Sequence, residues 1–282
     1  MFERVIRIMF QKQGFLIHDA ENDSYFVDYQ QTLSIAVNEL LLELLLAARP
    51  YIRGTLLDVG CGKRPYALIY DRCVDFSVGT EVQFSPHGTD QADLISYAEH
   101  LPFADNSFDT ILCTEVLEHT RHPFQVVTEL TRLLKPGGYL LISTPFIYPI
   151  HEAPHDYWRF TRYGLQKMCQ DNGLEVIEIN SKGGIIVAML VLTHNIIVRG
   201  MNVVSKILHL NPPLYEQKWF RWMICLPQWA YLQLSRKLRL STNNLTKVEQ
   251  RFDRLVKRIN ALDEVNHWLT CGYLLIARKP IG

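Results

Sequence analysis

The chain reads LLDVGCG at residues 56–62 and SVGTE at residues 77–81. An apolar run ending in Asp-x-Gly-x-Gly has the form of a buried parallel strand that turns over glycines into a helix. A second apolar run, with an acid at its tip, follows at the distance of one βαβ unit. Gly60 and Gly62 let the backbone approach a ligand with no Cβ between them. Glu81, at the second tip, can accept hydrogen bonds from both hydroxyls of a ribose. The pair points to an adenosine-containing cofactor. A dinucleotide calls for a third glycine, in Gly-x-Gly-x-x-Gly. Here Lys63, Arg64 and Pro65 follow instead, and Pro65 suits the first turn of a helix. Asp58, two residues before Gly60, sits badly beside a pyrophosphate and suits the ammonium group of a methionine moiety, directly or through water. Taken alone, the glycines also fit a purely structural strand–helix turn.

Two further stretches, AEHLPFADNSFDTILCTEVLEH at residues 98–119 and LLKPGGYLLISTP at residues 133–145, resemble the class I S-adenosylmethionine-dependent methyltransferases of the small-molecule, type 11 kind. The likeness runs from about residue 56 to residue 145, with a weaker tail to 181 and a closing strand at residues 272–278. It implies S-adenosylmethionine as cofactor, with Asp58, Gly60, Cys61, Gly62, Glu81, Tyr97, Ala98 and Glu115 around it. One position departs from the family, which usually has an Asp before the Ala-Glu to meet the adenine amino group; here it is Tyr97. Adenine is then expected on the Tyr97–Ala98 backbone and on an apolar shelf of Leu101, Pro102 and Phe103, with Asp93 as a further polar contributor.

The acceptor side is read from two segments. EVLEH (residues 115–119) lies just past the fourth core strand, where an acceptor would meet the methyl group. His119 titrates near neutrality and can take a proton from a hydroxyl as its oxygen attacks; the alternative is that Glu118 and His119 brace the next helix. HEAPHDYWRFT (residues 151–161) follows the strand ending at Thr144-Pro145, and loops at that edge carry function. Similar Asp-Tyr-Trp-Arg-Phe-Thr segments in bacterial methyltransferases help form the acceptor pocket. The resemblance therefore implies catalytic roles for His119, His151, His155 and Asp156, and acceptor contacts from Tyr157 and Arg159. The structural alternative is a corner braced by an Asp156–Arg159 pair, with Trp158 and Phe160 in the core. His151-Glu152-Ala153-Pro154-His155 also matches the zinc-hydrolase pattern His-Glu-x-x-His, which needs both histidines on one helical face. Pro149 and Pro154 argue against a helix there, and no metal is expected. His18, His87 and His194 have no partner in sequence and read as structural or solvated.

The elements that must position these groups alternate along the chain. A strong helix, NELLLELLLAAR, ends at Pro50, and residues 1–54 read as N-terminal cap helices. Residues 55–184 form the cofactor-binding core, with strands at 55–60, 76–80 and 108–113 and helices from Pro65 and over 124–134. A Pro136-Gly137-Gly138 turn then leads into a strand to Thr144. Such alternation argues for a parallel sheet covered on both faces, with ligands beyond the carboxyl ends of its strands. The fold class is α/β: a Rossmann-like, doubly wound, mainly parallel seven-stranded sheet with a helical insertion before the last strand, residues 271–282.

The insertion, residues 185–270, breaks the pattern. IIVAMLVLTHNIIV (185–198) is nearly all apolar but short for a membrane span. WFRWMICLPQWAYLQL (219–234) carries three tryptophans and Pro227. Leu245, Val248, Phe252, Leu255, Ile259 and Leu262 recur at helical spacing among charges. Three readings stand: a lobe packed on itself, a peripheral lipid contact through residues 185–240 aided by Lys218, Arg221, Arg236, Lys237 and Arg239, or a homo-oligomer seam.

With 282 residues the chain can bury one full α/β core and an extra lobe. Its 29 Lys and Arg balance 29 Asp and Glu, so no nucleic-acid partner is expected. Six cysteines without paired spacing fit a reducing cytoplasm, and the charged, interrupted N-terminus lacks a signal-peptide core. The expected activity is methyl transfer to oxygen on a small-molecule, sugar or lipid-linked acceptor, in the cytoplasm or peripherally at the inner face of a membrane. The rival is a protein of the same fold that binds or scaffolds without turnover.

Overall fold

The computed structural model describes residues 10–28, 34–240 and 269–281. Three short strands, β1 (Phe10–Gln13), β2 (Leu16–Asp19) and β3 (Ser24–Val27), form an antiparallel sheet ahead of helix α1 (Ile35–Ala47). This corrects the expectation of cap helices alone over residues 1–54. The segment turns at Gly14, whose φ of 54° suits glycine, and pairs β1 with β2 and β2 with β3 in register, with Leu16 and Val27 buried.

The main sheet has seven strands: β4 (Thr55–Val59), β5 (Phe76–Glu81), β6 (Leu94–Ile95), β7 (Phe108–Thr114), β8 (Leu134–Pro145), β9 (Glu175–Ser181) and β10 (Gly272–Arg278). Their order is β6-β5-β4-β7-β8-β10-β9. All neighbouring pairs are parallel except those of β10, which runs antiparallel to both β8 and β9. This is the doubly wound, Rossmann-like sheet expected from the sequence. The chain moves outward from β4 in both directions, so the carboxyl ends of β4 and β7 flank the reversal in strand order, where such sheets bind ligands.

Both faces of the sheet are covered. Leu57, Val59, Ile111 and Cys113 pack on one side against α3 (Pro123–Leu133) and α4 (Arg162–Asp171), through Val126, Val127, Leu130, Leu165 and Met168. Leu56, Leu112, Leu141 and Leu274 face α1 and the short helix α2 (Ala67–Tyr70) on the other side. Helix α3 starts with Pro123 in its first turn, and α4 is capped by Thr161, whose hydroxyl accepts from the Gly164 N–H at 3.1 Å. Pro136-Gly137-Gly138 lies inside β8 as an irregularity rather than as a turn before it, and the β7–β8 register shifts there.

Two 23-residue helices follow β9: α5 (Ile185–Ile207) and α6 (Lys218–Leu240). Val187, Ala188 and Val191 of α5 pack with Phe220 and Ile224 of α6 on Ile35, Ala36 and Leu40 of α1. Helix α5 is long and apolar enough to cross a membrane, further than the 185–198 run implied, and only 22% of its most apolar window is buried. The repeat over residues 245–262, and the oligomer seam it suggested, lie outside the described residues.

Candidate active site

The turn after β4 is built for close approach. Gly60 has φ 66°, and a Cβ there would meet Val116 Cγ2 at 2.4 Å. Gly62 has φ 52°, and a Cβ there would press on His87 at 3.2 Å. Glu81, buried at the tip of β5, accepts from the N–H of Gly62 and of Val82, both at 2.8 Å, one on each carboxylate oxygen. The remaining lone pairs of both oxygens stay available to a diol. The residues therefore fit an adenosine cofactor: an acid fixed by the glycine turn itself, in a cradle that side chains would fill.

Asp58 is in β4, two residues before Gly60. It lies buried beneath α2 and accepts from the Tyr70 hydroxyl at 2.8 Å. Burial raises its pKa to about 7, against the lowering influence of Tyr70 and Arg64. Arg64 bonds the Tyr70 hydroxyl, Ser77 and Asp93. Asp93 also accepts from the Gly79 N–H at 2.7 Å, so its carboxylate ties β5 to the turn. Cys61 is buried, and burial pushes its thiol up to about 12, which makes it packing and not a nucleophile. Ala98 is buried, whereas the Tyr97 side chain is 67% exposed, which leaves its backbone as the contribution to the site. Leu101 is buried and Phe103 packs edge-on against Phe108, so the apolar shelf is present.

Glu115 follows β7 with φ 54°, a left-handed conformation that a non-glycine residue adopts at a cost. Its carboxylate accepts from the Ser143 hydroxyl at 2.6 Å and from the ammonium of Lys182. Lys182, at the end of β9, is fully buried, and Gly272 makes room for it, since a Cβ there would meet Lys182 Cε at 2.5 Å. Sequence reading missed Lys182. A lysine between an apolar strand and two glycines was the available signal.

The next turn, Leu117–His119, brings up Glu118 and His119. The Glu118 carbonyl accepts from the N–H of Tyr157 at 2.8 Å and of Trp158 at 3.3 Å, which joins this turn to the 151–161 loop. The Glu118 carboxylate is fully buried with both oxygens lacking a hydrogen-bond partner. Burial and the nearby Glu115 push its pKa far above the ordinary carboxylate range. His119 Nδ1 lies 2.7 Å from the His155 carbonyl, which can only accept, so Nδ1 carries a proton. Nε2 is 3.7 Å from Glu118 and 3.9 Å from Glu152. The His151 ring packs edge-on against His119 at 4.7 Å, and its Nε2 is 4.0 Å from Glu118. Burial and the neighbouring His119 lower the pKa of His151.

Asp156 is braced rather than free. Arg159 grips both its oxygens at 2.6 and 2.8 Å and also donates to the Tyr148 and Pro149 carbonyls. Against the upward push of burial, Arg159 and the His151 N–H hold Asp156 down at about 2. The Arg159 guanidinium is thus taken up within the loop. Tyr157 is exposed and its hydroxyl sits 3.0 Å from His155 Nδ1. Phe160 is in the core as expected, but Trp158 is 37% exposed and donates to the Thr120 carbonyl.

The segment 151–155 is not a helix, so His151 and His155 do not share a helical face. His87, read from sequence as structural or solvated, instead bonds Glu152 at 2.8 Å, which raises the histidine's pKa. His87 thereby links the glycine turn to the acceptor loop. The other two histidines are structural: His18 pairs with Asp23, and His194 is buried against the Ile224 carbonyl.

Comparison with known proteins agrees with this geometry. Residues 57–142 match a methyltransferase domain family, type 11. An uncharacterized methyltransferase of Mycobacterium tuberculosis is 32% identical over 125 residues, 41% of this chain and 49% of that protein. A tRNA U34 carboxymethyltransferase of Campylobacter curvus is 31% identical over 139 residues, 44% of each chain. A ubiquinone biosynthesis O-methyltransferase of Thiobacillus denitrificans is 29% identical over 179 residues, 51% of this chain and 74% of that one. The match spans about half the length of the first of these relatives.

Proposed function

We infer, for a chain that carries a class I, type 11 methyltransferase domain with S-adenosylmethionine as its cofactor, that it methylates an oxygen of a small-molecule, sugar or lipid-linked acceptor. The observation that carries this reading is the join between the two halves of the site. Gly62 packs on His87, His87 bonds Glu152, and Glu152 stands beside His119. An acid suited to ribose and the His119 imidazole therefore share one sheet edge. Glu81 would hold the ribose, with Gly60 and Gly62 against the cofactor backbone and the Tyr97–Ala98 main chain beside adenine. S-adenosylmethionine supplies a methyl group made electrophilic by its sulfonium. The protein's part is then alignment and, for an alcohol, removal of one proton. His119 Nε2 is placed to take that proton, and Asp156 with Arg159 fixes the loop that carries His151 and His155.

The acceptor is proposed to be lipid-borne. Ile196, Ile207, Trp219, Trp222, Met223 and Trp229 are exposed on α5 and α6, with Lys218 and Arg221 among them. Tryptophan with neighbouring cations favours a membrane–water boundary, which supports peripheral contact at an inner membrane face.

The test incubates the protein with S-adenosylmethionine and, separately, polar metabolites, lipid extract and tRNA. Mass spectrometry should find a gain of one CH2 in the lipid or metabolite arm. A gain in the tRNA arm alone would overturn the acceptor class. Binding of the cofactor by calorimetry without turnover in any arm would favour a scaffold.

A further inference from the structure

One group in the pocket has no role in the scheme above. Glu118 is fully buried, and neither of its carboxylate oxygens has a hydrogen-bond partner. A buried carboxylate without partners is costly and calls for a proton or a cation. The groups nearest it are imidazole nitrogens rather than ammonium or guanidinium groups: His119 Nε2 at 3.7 Å and His151 Nε2 at 4.0 Å from Glu118 Oε1. One donor atom from each of these three residues lies within 4.8 Å of the others.

The orientation of the His119 ring is what a metal ligand requires. A ligating histidine donates its far N–H to a carbonyl or a carboxylate, which fixes the tautomer and bares the other nitrogen. His119 Nδ1 faces the His155 carbonyl at 2.7 Å. His151 is held through its backbone, whose N–H donates to Asp156 Oδ2 at 2.9 Å, while its Nδ1, 3.3 Å from the same oxygen, makes no hydrogen bond; Asp156 is itself held by Arg159. Glu152 Oε2, 3.9 Å from His119 Nε2, stands at the rim.

We propose that Glu118, His119 and His151 bind a divalent transition metal of the zinc class, with a further coordination position open toward the acceptor. Two histidines and one carboxylate are a donor set that zinc accepts with that position left for water or substrate. Zinc bonds of about 2.0–2.1 Å in a tetrahedron put donor atoms roughly 3.3 Å apart. The two gaps to Glu118 Oε1, 3.7 and 4.0 Å, are wider by less than about 1 Å, and all three donor atoms lie within 4.8 Å of one another, distances that side-chain rotations about χ1 and χ2 can close. The site is distinct from the His-Glu-x-x-His reading of residues 151–155, because only His151 is shared and the other two ligands come from the turn after β7. Metal binding stands without the methyl-transfer reading. Only its use in the reaction, lowering the pKa of a coordinated acceptor hydroxyl, rests on it, and with the metal bound that ionisation takes the place of proton removal by His119 Nε2.

The experiment uses the full chain, stripped with chelator, and metal ions alone. Titration with Co2+ should give the intense visible absorption of a low-coordinate nitrogen–oxygen site. Added Zn2+ should displace it at one ion per chain, and Mg2+ should not. Glu118→Gln, which removes the buried charge without removing bulk, and His119→Ala should each abolish the absorption. Asp156→Asn should weaken Zn2+ binding roughly tenfold, as loss of an outer orienting group does. Retained S-adenosylmethionine binding by calorimetry would show that each variant is folded. A featureless Co2+ spectrum, or Zn2+ binding unchanged in both ligand variants, would overturn the proposal. Loss of methyl transfer with intact Co2+ binding would instead count against the function proposed above.

Discussion

The sheet and the helical lobe use the same residue types to opposite ends. In β4 and β7, Leu56, Leu57, Ile111 and Leu112 are closed off from water. In α5 and α6, Ile196 is 72% exposed and Trp222 69%. The contrast follows from layering. A parallel sheet has two faces, and here α1 and α2 cover one while α3 and α4 cover the other. Among the described residues the two long helices pack mainly on α1 and on each other, with Ile147, Tyr148 and Cys271 beside them, and much of the rest of their surface is exposed. Apolar residues in the sheet report on stability; those on the lobe report on what the protein meets.

The sharpest way to break this contrast is truncation on each side. Leu57→Ala should destabilise the fold by about 2–5 kcal/mol, the usual cost of a buried leucine, measured by chemical denaturation. A loss below about 1 kcal/mol would show that the sheet core is looser than its burial suggests. Next comes the cofactor edge. Glu81→Ala should weaken S-adenosylmethionine binding by about 1.5–3 kcal/mol, roughly tenfold or more, while the melting temperature moves little. Unchanged affinity would remove Glu81 from the site.

A third effect is visible in acid. The folded pKa of Asp156, about 2, lies below its unfolded value. The stabilisation it gives is complete above the unfolded pKa, near 4, and is lost as pH falls through about 2. The size is on the order of 2 kcal/mol. In Asp156→Asn this part of the acid slope should vanish from a pH series of unfolding curves; an unaltered slope would mean that the Arg159 clamp is not what holds the loop. The smallest change in stability belongs to the lobe. Trp219→Ser with Trp222→Ser should alter unfolding by no more than about 0.5 kcal/mol yet abolish flotation with anionic vesicles. If the intact protein does not float at low salt, the bare face meets something other than lipid.

Much of the sheet was readable because its signals are local. The apolar run into Asp58, Gly60 and Gly62, the acid at Glu81 and the alternation of strands and helices each occupy a few consecutive residues, and β4, β5 and β7 lie within a residue of where the patterning puts them, whereas β8 runs back through Pro136-Gly137-Gly138. What stayed hidden depends on distant partners. Glu118 is buried because residues 157 and 158 fold back onto its carbonyl, and no window around EVLEH contains that fact. His87 looked solitary until Glu152, 65 residues away, met it. Lys182 needed Gly272, on another strand, to be accommodated. The N-terminal sheet is a different failure: its strands are four residues each, too short for a period to stand out against a neighbouring leucine-rich helix.

The manner in which the lobe is attached has a mechanical consequence. It leaves the sheet after Lys182 and returns at Thr270, and the two ends are stitched together: the Lys182 N–H donates to the Gly272 carbonyl at 2.8 Å, and the Thr270 hydroxyl to the Lys182 carbonyl at 3.1 Å. Both feet of the lobe thus stand on one point, and the side chain at that point is the one whose ammonium grips Glu115. A load borne by the two helices, whatever surface they rest on, is shared between their seat on α1 and this pivot, and the part that reaches the pivot arrives at the strained residue beside the glycine turn.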